Sequence, residues 1–135
     1  DELQALEEYR LNLSYTGITK VASLGDGISQ LEKLRHLEVN LSNCADLTDI
    51  QGFESLGRLT ELQELDLDFS ACVKLFELAP LVQGMGNLQA LQVLRISFGS
   101  DVRRLGILKQ RQGCSNVSDF TPLGRGVAKL KQLRK

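Results

Sequence analysis

The chain has no surplus of either charge, no long apolar run and almost no histidine, and each absence closes off a class of function. Its 135 residues carry 16 lysines and arginines against 17 aspartates and glutamates, so no global field recruits nucleic acid or an anionic membrane as the main partner. No apolar stretch approaches the roughly 20 residues that span a bilayer, and Asp1 is not followed by the basic and apolar regions of a secretory signal. A soluble chain is expected, and the missing initiator Met reads as processing or as a piece of a longer protein. The single histidine, His36, cannot build a usual zinc site without cysteines or histidines beside it. Nothing in the sequence brings it a Ser, Cys or Asp as a triad. No catalytic residue, metal or cofactor is expected, and the chain is not read as an enzyme. Three cysteines are too sparse for a disulfide scaffold.

What is present is a repeat. The triplets Leu34, Leu37, Val39, then Leu62, Leu65, Leu67, then Leu91, Leu94, Ile96 recur at spacings of 28 and 29 residues, an LxxLxL pattern. Leu11 and Leu13 open an earlier copy, and the tail from Cys114 to Leu133 closes the last, giving four. The downstream halves align too: Ile18, Val21, Leu24, Ile28, Leu31 match Leu47, Ile50, Phe53, Leu56, Leu59, then Leu75, Leu78, Leu81, Met85, Leu88 and finally Val117, Phe120, Leu123, Val127, Leu130. Within each copy apolar residues first alternate, as in Leu37, Val39, Leu41, and later fall every three or four, so a short strand is followed by a loop and a helix. One such unit cannot bury its apolar face alone, and the copies must stack strand beside strand. The expected fold is a single right-handed α/β solenoid over residues 1–135, with parallel strands near residues 10–15, 36–41, 64–69 and 93–98. The pattern resembles the leucine-rich-repeat superfamily over nearly the whole chain, with the long repeat of its ribonuclease-inhibitor-like members. That resemblance implies strands on a concave face and helices on a convex one.

Ser23, Gly52, Pro80 and the pair Thr121 with Pro122 mark the expected helix starts, Thr121 as a cap and Pro122 at the first helical position. The paired glycines Gly25 with Gly27, Gly84 with Gly86 and Gly124 with Gly126 recur at helix turns and lack the Lys-Ser or Lys-Thr of a phosphate loop. Cys44, Cys72 and Cys114 share one position, three residues before Leu47, Leu75 and Val117. They are read as a ladder of buried structural thiols, because side chains in register point in parallel rather than at one another. Replacing Cys72 by Ser would then leave a buried hydroxyl unsatisfied, at about 1–3 kcal/mol. Reduced thiols point to an intracellular, reducing compartment.

Residues between the inward-facing leucines define an open face: Arg10, Asn12, Ser14, then His36, Glu38, Asn40, then Glu64, Asp66, Asp68, then Val93, Arg95, Ser97. Its third row is wholly acidic. The loop after the strand is 5 residues in the first copy (Leu13 to Ile18), 8 in the next two and 21 in the fourth (Ile96 to Val117). The fourth holds a basic insertion, residues 99–113, with Arg103, Arg104, Lys109 and Arg111 against Asp101. Loop variation confined to one edge reads as recognition. The expected function is therefore a non-catalytic protein–protein interaction module, a scaffold that uses His36, Glu38, Glu64, Asp66, Asp68, Arg95, Arg103, Arg104, Lys109 and Arg111 toward a charged protein partner. Neither end looks like a polar capping module, so an architectural subunit packed through its ends is the alternative, and an accessory domain of an enzyme the second.

Overall fold

The structure, a computed structural model, describes residues 2–99 and 120–135; the basic insertion and Cys114 lie outside them. Four strands, β1 (Glu8–Asn12), β2 (His36–Asn40), β3 (Glu64–Asp68) and β4 (Val93–Ser97), form one parallel sheet in chain order. Parallel neighbours cannot be joined by a tight turn, so the chain must leave the sheet and return. It does so through α1 (Ala22–Ile28), a 3₁₀ helix at Phe53–Arg58, and α2 (Ala79–Met85), and after β4 it enters α3 (Thr121–Ala128). The protein is thus an α/β fold of alternating strands and helical segments. Among the described residues no helix is long and apolar enough to cross a membrane.

Register follows the leucine ladder. Leu37 stands opposite Leu65, and Leu65 opposite Leu94. The carbonyls of Glu7, Arg35, Gln63 and Gln92 each accept two amides from the neighbouring unit, the last from Arg134 and Lys135 at 2.7 and 3.1 Å. Burial is graded along the stack. In the second and third units Leu37, Val39, Leu41, Leu47, Phe53, Leu65, Leu67, Phe69, Leu75 and Leu81 are fully buried. Their counterparts in the outer units, among them Tyr9, Leu13, Leu24, Leu94, Phe98 and Leu123, are only partly so. A unit closes its core only with a neighbour on each side.

The first unit is displaced from its expected register. Tyr9, Leu11 and Leu13 align with Leu37, Val39 and Leu41, so β1 begins at Glu8 and its outward residues are Glu8, Arg10 and Asn12 rather than Arg10, Asn12 and Ser14. The signature there is Leu6, Tyr9, Leu11, with a half-buried tyrosine standing for the second leucine. Counted from Leu11, the first loop reaches Ile18 in 7 residues (11 to 18), one short of its neighbours rather than three. Thr16 accordingly takes the cysteine position itself.

Helix starts also differ from expectation. Thr121 is the first residue of α3 rather than its N-cap, a place taken by Phe120, and Pro122 does occupy the first turn. The second unit forms a 3₁₀ helix where the first and third form short α-helices, and it has a close neighbour on each side. A Cβ on Gly25 of α1 would strike the Gly52 carbonyl, and one on Gly84 of α2 would strike the Phe53 carbonyl. Gly52 itself has φ +100°, and a side chain there would meet Ala22 at 2.6 Å, so the position needs glycine twice over. Helical segments approach to backbone contact through these glycines.

Candidate functional site

One side of the sheet is core and the other carries polar side chains, a consequence of strand alternation. Along β2 and β3 the inward residues are buried and the outward ones are half-exposed. In register the outward rows read Glu8, His36, Glu64, Val93, then Arg10, Glu38, Asp66, Arg95, then Asn12, Asn40, Asp68, Ser97. The sheet therefore brings His36, Glu38, Glu64, Asp66, Asp68 and Arg95 onto one surface. Where Arg103, Arg104, Lys109 and Arg111 stand relative to it falls outside the described residues.

The middle row sets two acids between two arginines. Arg10 reaches Glu8 at 2.7 Å and Glu38 at 3.6 Å. All three side chains are well exposed, so these pairs contribute little to stability. Arg95 lies opposite Asp66 but, among the described residues, makes no ion pair with it. Asp66 is left with Glu38 on one side and Asp68 on its own strand. Partial burial, then the charge of Glu38, raises its carboxyl above the usual aspartate value, with Arg95 pulling the other way. Among the described residues no cation closes upon this acid.

In the first row His36 Nδ1 stands 3.3 Å from Glu64 Oε2, while its buried Nε2 has no hydrogen-bond partner. Among the described residues no group of three or more His, Cys, Asp or Glu could hold a metal ion.

The last row has a different role, which the sequence reading missed. Asn12, Asn40 and Asp68 each accept, through Oδ1, the backbone N–H two residues on, at Ser14, Ser42 and Ser70 (3.0, 2.9 and 2.8 Å). These are Asx turns, and they end each strand. The residue after each serine, Tyr15, Asn43 and Ala71, takes a left-handed conformation with φ of 60, 59 and 58°. Asp68 is thus a turn-forming residue before it is a contact residue. The signal was an Asn or Asp two residues before a serine at a fixed place in three copies.

Below this turn lies the cysteine ladder. Cys44 and Cys72 are buried thiols. Each donates to a carbonyl of the preceding unit at 3.1 Å, Cys44 to Leu13 and Cys72 to Leu41. Thr16 fills the same place in the first unit and donates to Leu13 at 2.8 Å. The position calls for a small donor.

No protein-family model matches the chain, and no curated protein matches it.

Proposed function

We propose that the chain is a leucine-rich-repeat solenoid, strands concave and helices convex, working as a non-catalytic protein–protein interaction module. The observation that carries this reading is the one-sided sheet: its inner face is closed while Glu38, Glu64, Asp66 and Arg95 stay half-exposed or exposed in register. Asp66, raised by burial and by Glu38, suits a basic group of a protein partner, which would steer association and fix specificity. On sequence grounds alone Arg103, Arg104, Lys109 and Arg111 join the surface from the loop edge. Reduced Cys44 and Cys72 agree with a reducing, intracellular compartment. The test is affinity capture from the native source with the parent, an Asp66→Lys variant and an Arg125→Glu variant on α3. A partner that is retained by Arg125→Glu, lost by Asp66→Lys and weakened by salt supports the module. The reverse pattern overturns it.

A second reading, an architectural subunit packing through its ends, is favoured by the first unit. Strand β1 is a sheet edge, and beside it an apolar hollow of about 280 Å³ is lined by Leu3, Leu6, Tyr9, Leu24, Ile28 and Leu31. Open edges and apolar ends invite another chain. Sedimentation equilibrium decides: association that grows with concentration and is abolished by Leu24→Glu supports it, and a monomer at every concentration rules it out.

A further inference from the structure

Between the second and third units the repeat departs from itself on the segment that leads from the strand loop into the helix. After Ile18 and Leu47 the chain places threonines, Thr19 and Thr48; after Leu75 it places Phe76, which is 61 % exposed. A large aromatic so exposed contributes little to the core. The backbones also part here. Thr48 and Asp49 both donate to the Thr19 carbonyl, at 3.1 and 3.3 Å, and Lys20 pairs with Asp49 as a parallel bridge. Among the described residues no backbone hydrogen bond carries this pairing from 48–50 on to 76–78. The unmade pairing leaves a groove of about 480 Å³ whose walls include Lys20, Asp49, Glu54, Phe76, Glu77 and Pro80.

Among the described residues that line it, three carboxylates, of Asp49, Glu54 and Glu77, stand with one ammonium, that of Lys20. Two of them are held in place from behind: Asp49 Oδ1 accepts the Gln51 N–H and Glu54 Oε2 the Gly52 N–H, each at 2.8 Å. Each keeps a second oxygen for a visitor. An exposed aromatic ring beside fixed carboxylates is suited to a cation, which gains from the ring face and from charge-assisted hydrogen bonds together.

We infer that this groove is a docking site for an extended basic peptide segment, with an arginine or lysine over the Phe76 ring and its charge met by Glu77, Glu54 and Asp49. None of these residues belongs to the open sheet face, so this is a second surface, and it stands or falls separately from the first.

The probe is a fluorescein-labelled octapeptide of alternating Arg and Leu, with a citrulline-for-Arg peptide as control, read by fluorescence anisotropy and by ¹⁵N amide shifts on the whole chain. Saturable binding of the Arg peptide alone is expected, weakening as salt rises, with shifts centred on Thr48–Gln51 and Phe76–Glu77. Phe76→Thr restores the residue type of the first two units, and Glu77→Lys lies at an exposed position. Each raises Kd about tenfold or more, a change of one decade in affinity, while Asp66→Asn on the sheet face leaves it unchanged. The inference is overturned by no saturable binding to the parent, by groove variants that bind as the parent does, or by equal binding of the citrulline peptide. Loss through Asp66→Asn instead moves the peptide to the open sheet face, which overturns the groove and leaves the proposed module standing.

Discussion

Cys72 shows how a single hydrogen bond changes an expected mutational effect. Treated as a buried apolar thiol, its replacement by serine strands a hydroxyl. With Leu41 O 3.1 Å from its sulfur, serine keeps a donor beside that acceptor; Thr16, the exposed counterpart in the first unit, likewise donates to a backbone carbonyl, that of Leu13 in its own unit. Cys72→Ser is therefore expected to lower stability by about 1 kcal/mol or less, and Cys72→Val, which removes the donor and adds bulk, by about 1–3 kcal/mol; urea denaturation of both variants checks the order. Asp66 gives a pH prediction. Its raised carboxyl means that the fold favours the protonated form, so its contribution is full below the ordinary aspartate value and is lost as pH rises through the raised one. Asp66→Asn should then melt at a higher temperature than the parent near neutral pH, and this gain should vanish at about pH 3, below the ordinary carboxyl range. A gain that grows toward acid contradicts the assignment.

At the scale of elements, the strand ends and helix contacts are decided by backbone geometry. Ala71 holds φ 58° without the freedom of glycine, so Ala71→Gly should stabilise the turn after β3 by about 1 kcal/mol, seen as a higher urea midpoint. Gly84→Ala acts in the opposite sense. Its methyl would strike the Phe53 carbonyl, and forcing the two segments apart is expected to remove about 1–3 kcal/mol. Alternation followed by threefold and fourfold spacing announced strands and helices in the right order. The displaced β1 was not legible because Leu11 and Leu13 satisfy the two-residue period as well as Tyr9 and Leu11 do, and only pairing with β2 separates them. The Asx turns were equally hidden among polar residues that the face reading assigned to contact. Phe69 and Phe98 lie 29 residues apart at one repeat position, so their adjacency was legible in the spacing, while the stacking of their rings at 5.7 Å was not. On the candidate surface, the residues that β2, β3 and β4 contribute were readable from alternation alone, whereas in β1 Glu8 belongs to the face and Ser14 does not. The separation of Arg95 from Asp66 was not, because side-chain direction depends on the local environment rather than on spacing.

Across the whole molecule, stability is expected to fall from the middle of the stack outward. Every inward side chain of β2 and β3 is closed by a unit on both sides, whereas Leu94, Ile96 and Leu123 are only partly buried. Amide hydrogen exchange should therefore be slowest in β2 and β3 and faster in β1, β4 and α3, since local opening follows burial and contact density. Uniform protection along the sheet would show a single cooperative block instead.

The paired amides that each unit lends to one carbonyl of its neighbour run along the stacking direction, and strand order places the two chain ends on opposite sides of the sheet. Tension applied at those ends pulls along these bonds rather than across them. The molecule then peels instead of shearing. Units detach one at a time from the outside; those between β1 and β4 each free about 28 residues, or roughly 95 Å of extended chain, and the C-terminal unit with its longer loop frees more. Under a pulling apparatus the protein should behave as an extensible tether, giving way in small steps at modest force, the step of the C-terminal unit being the longest.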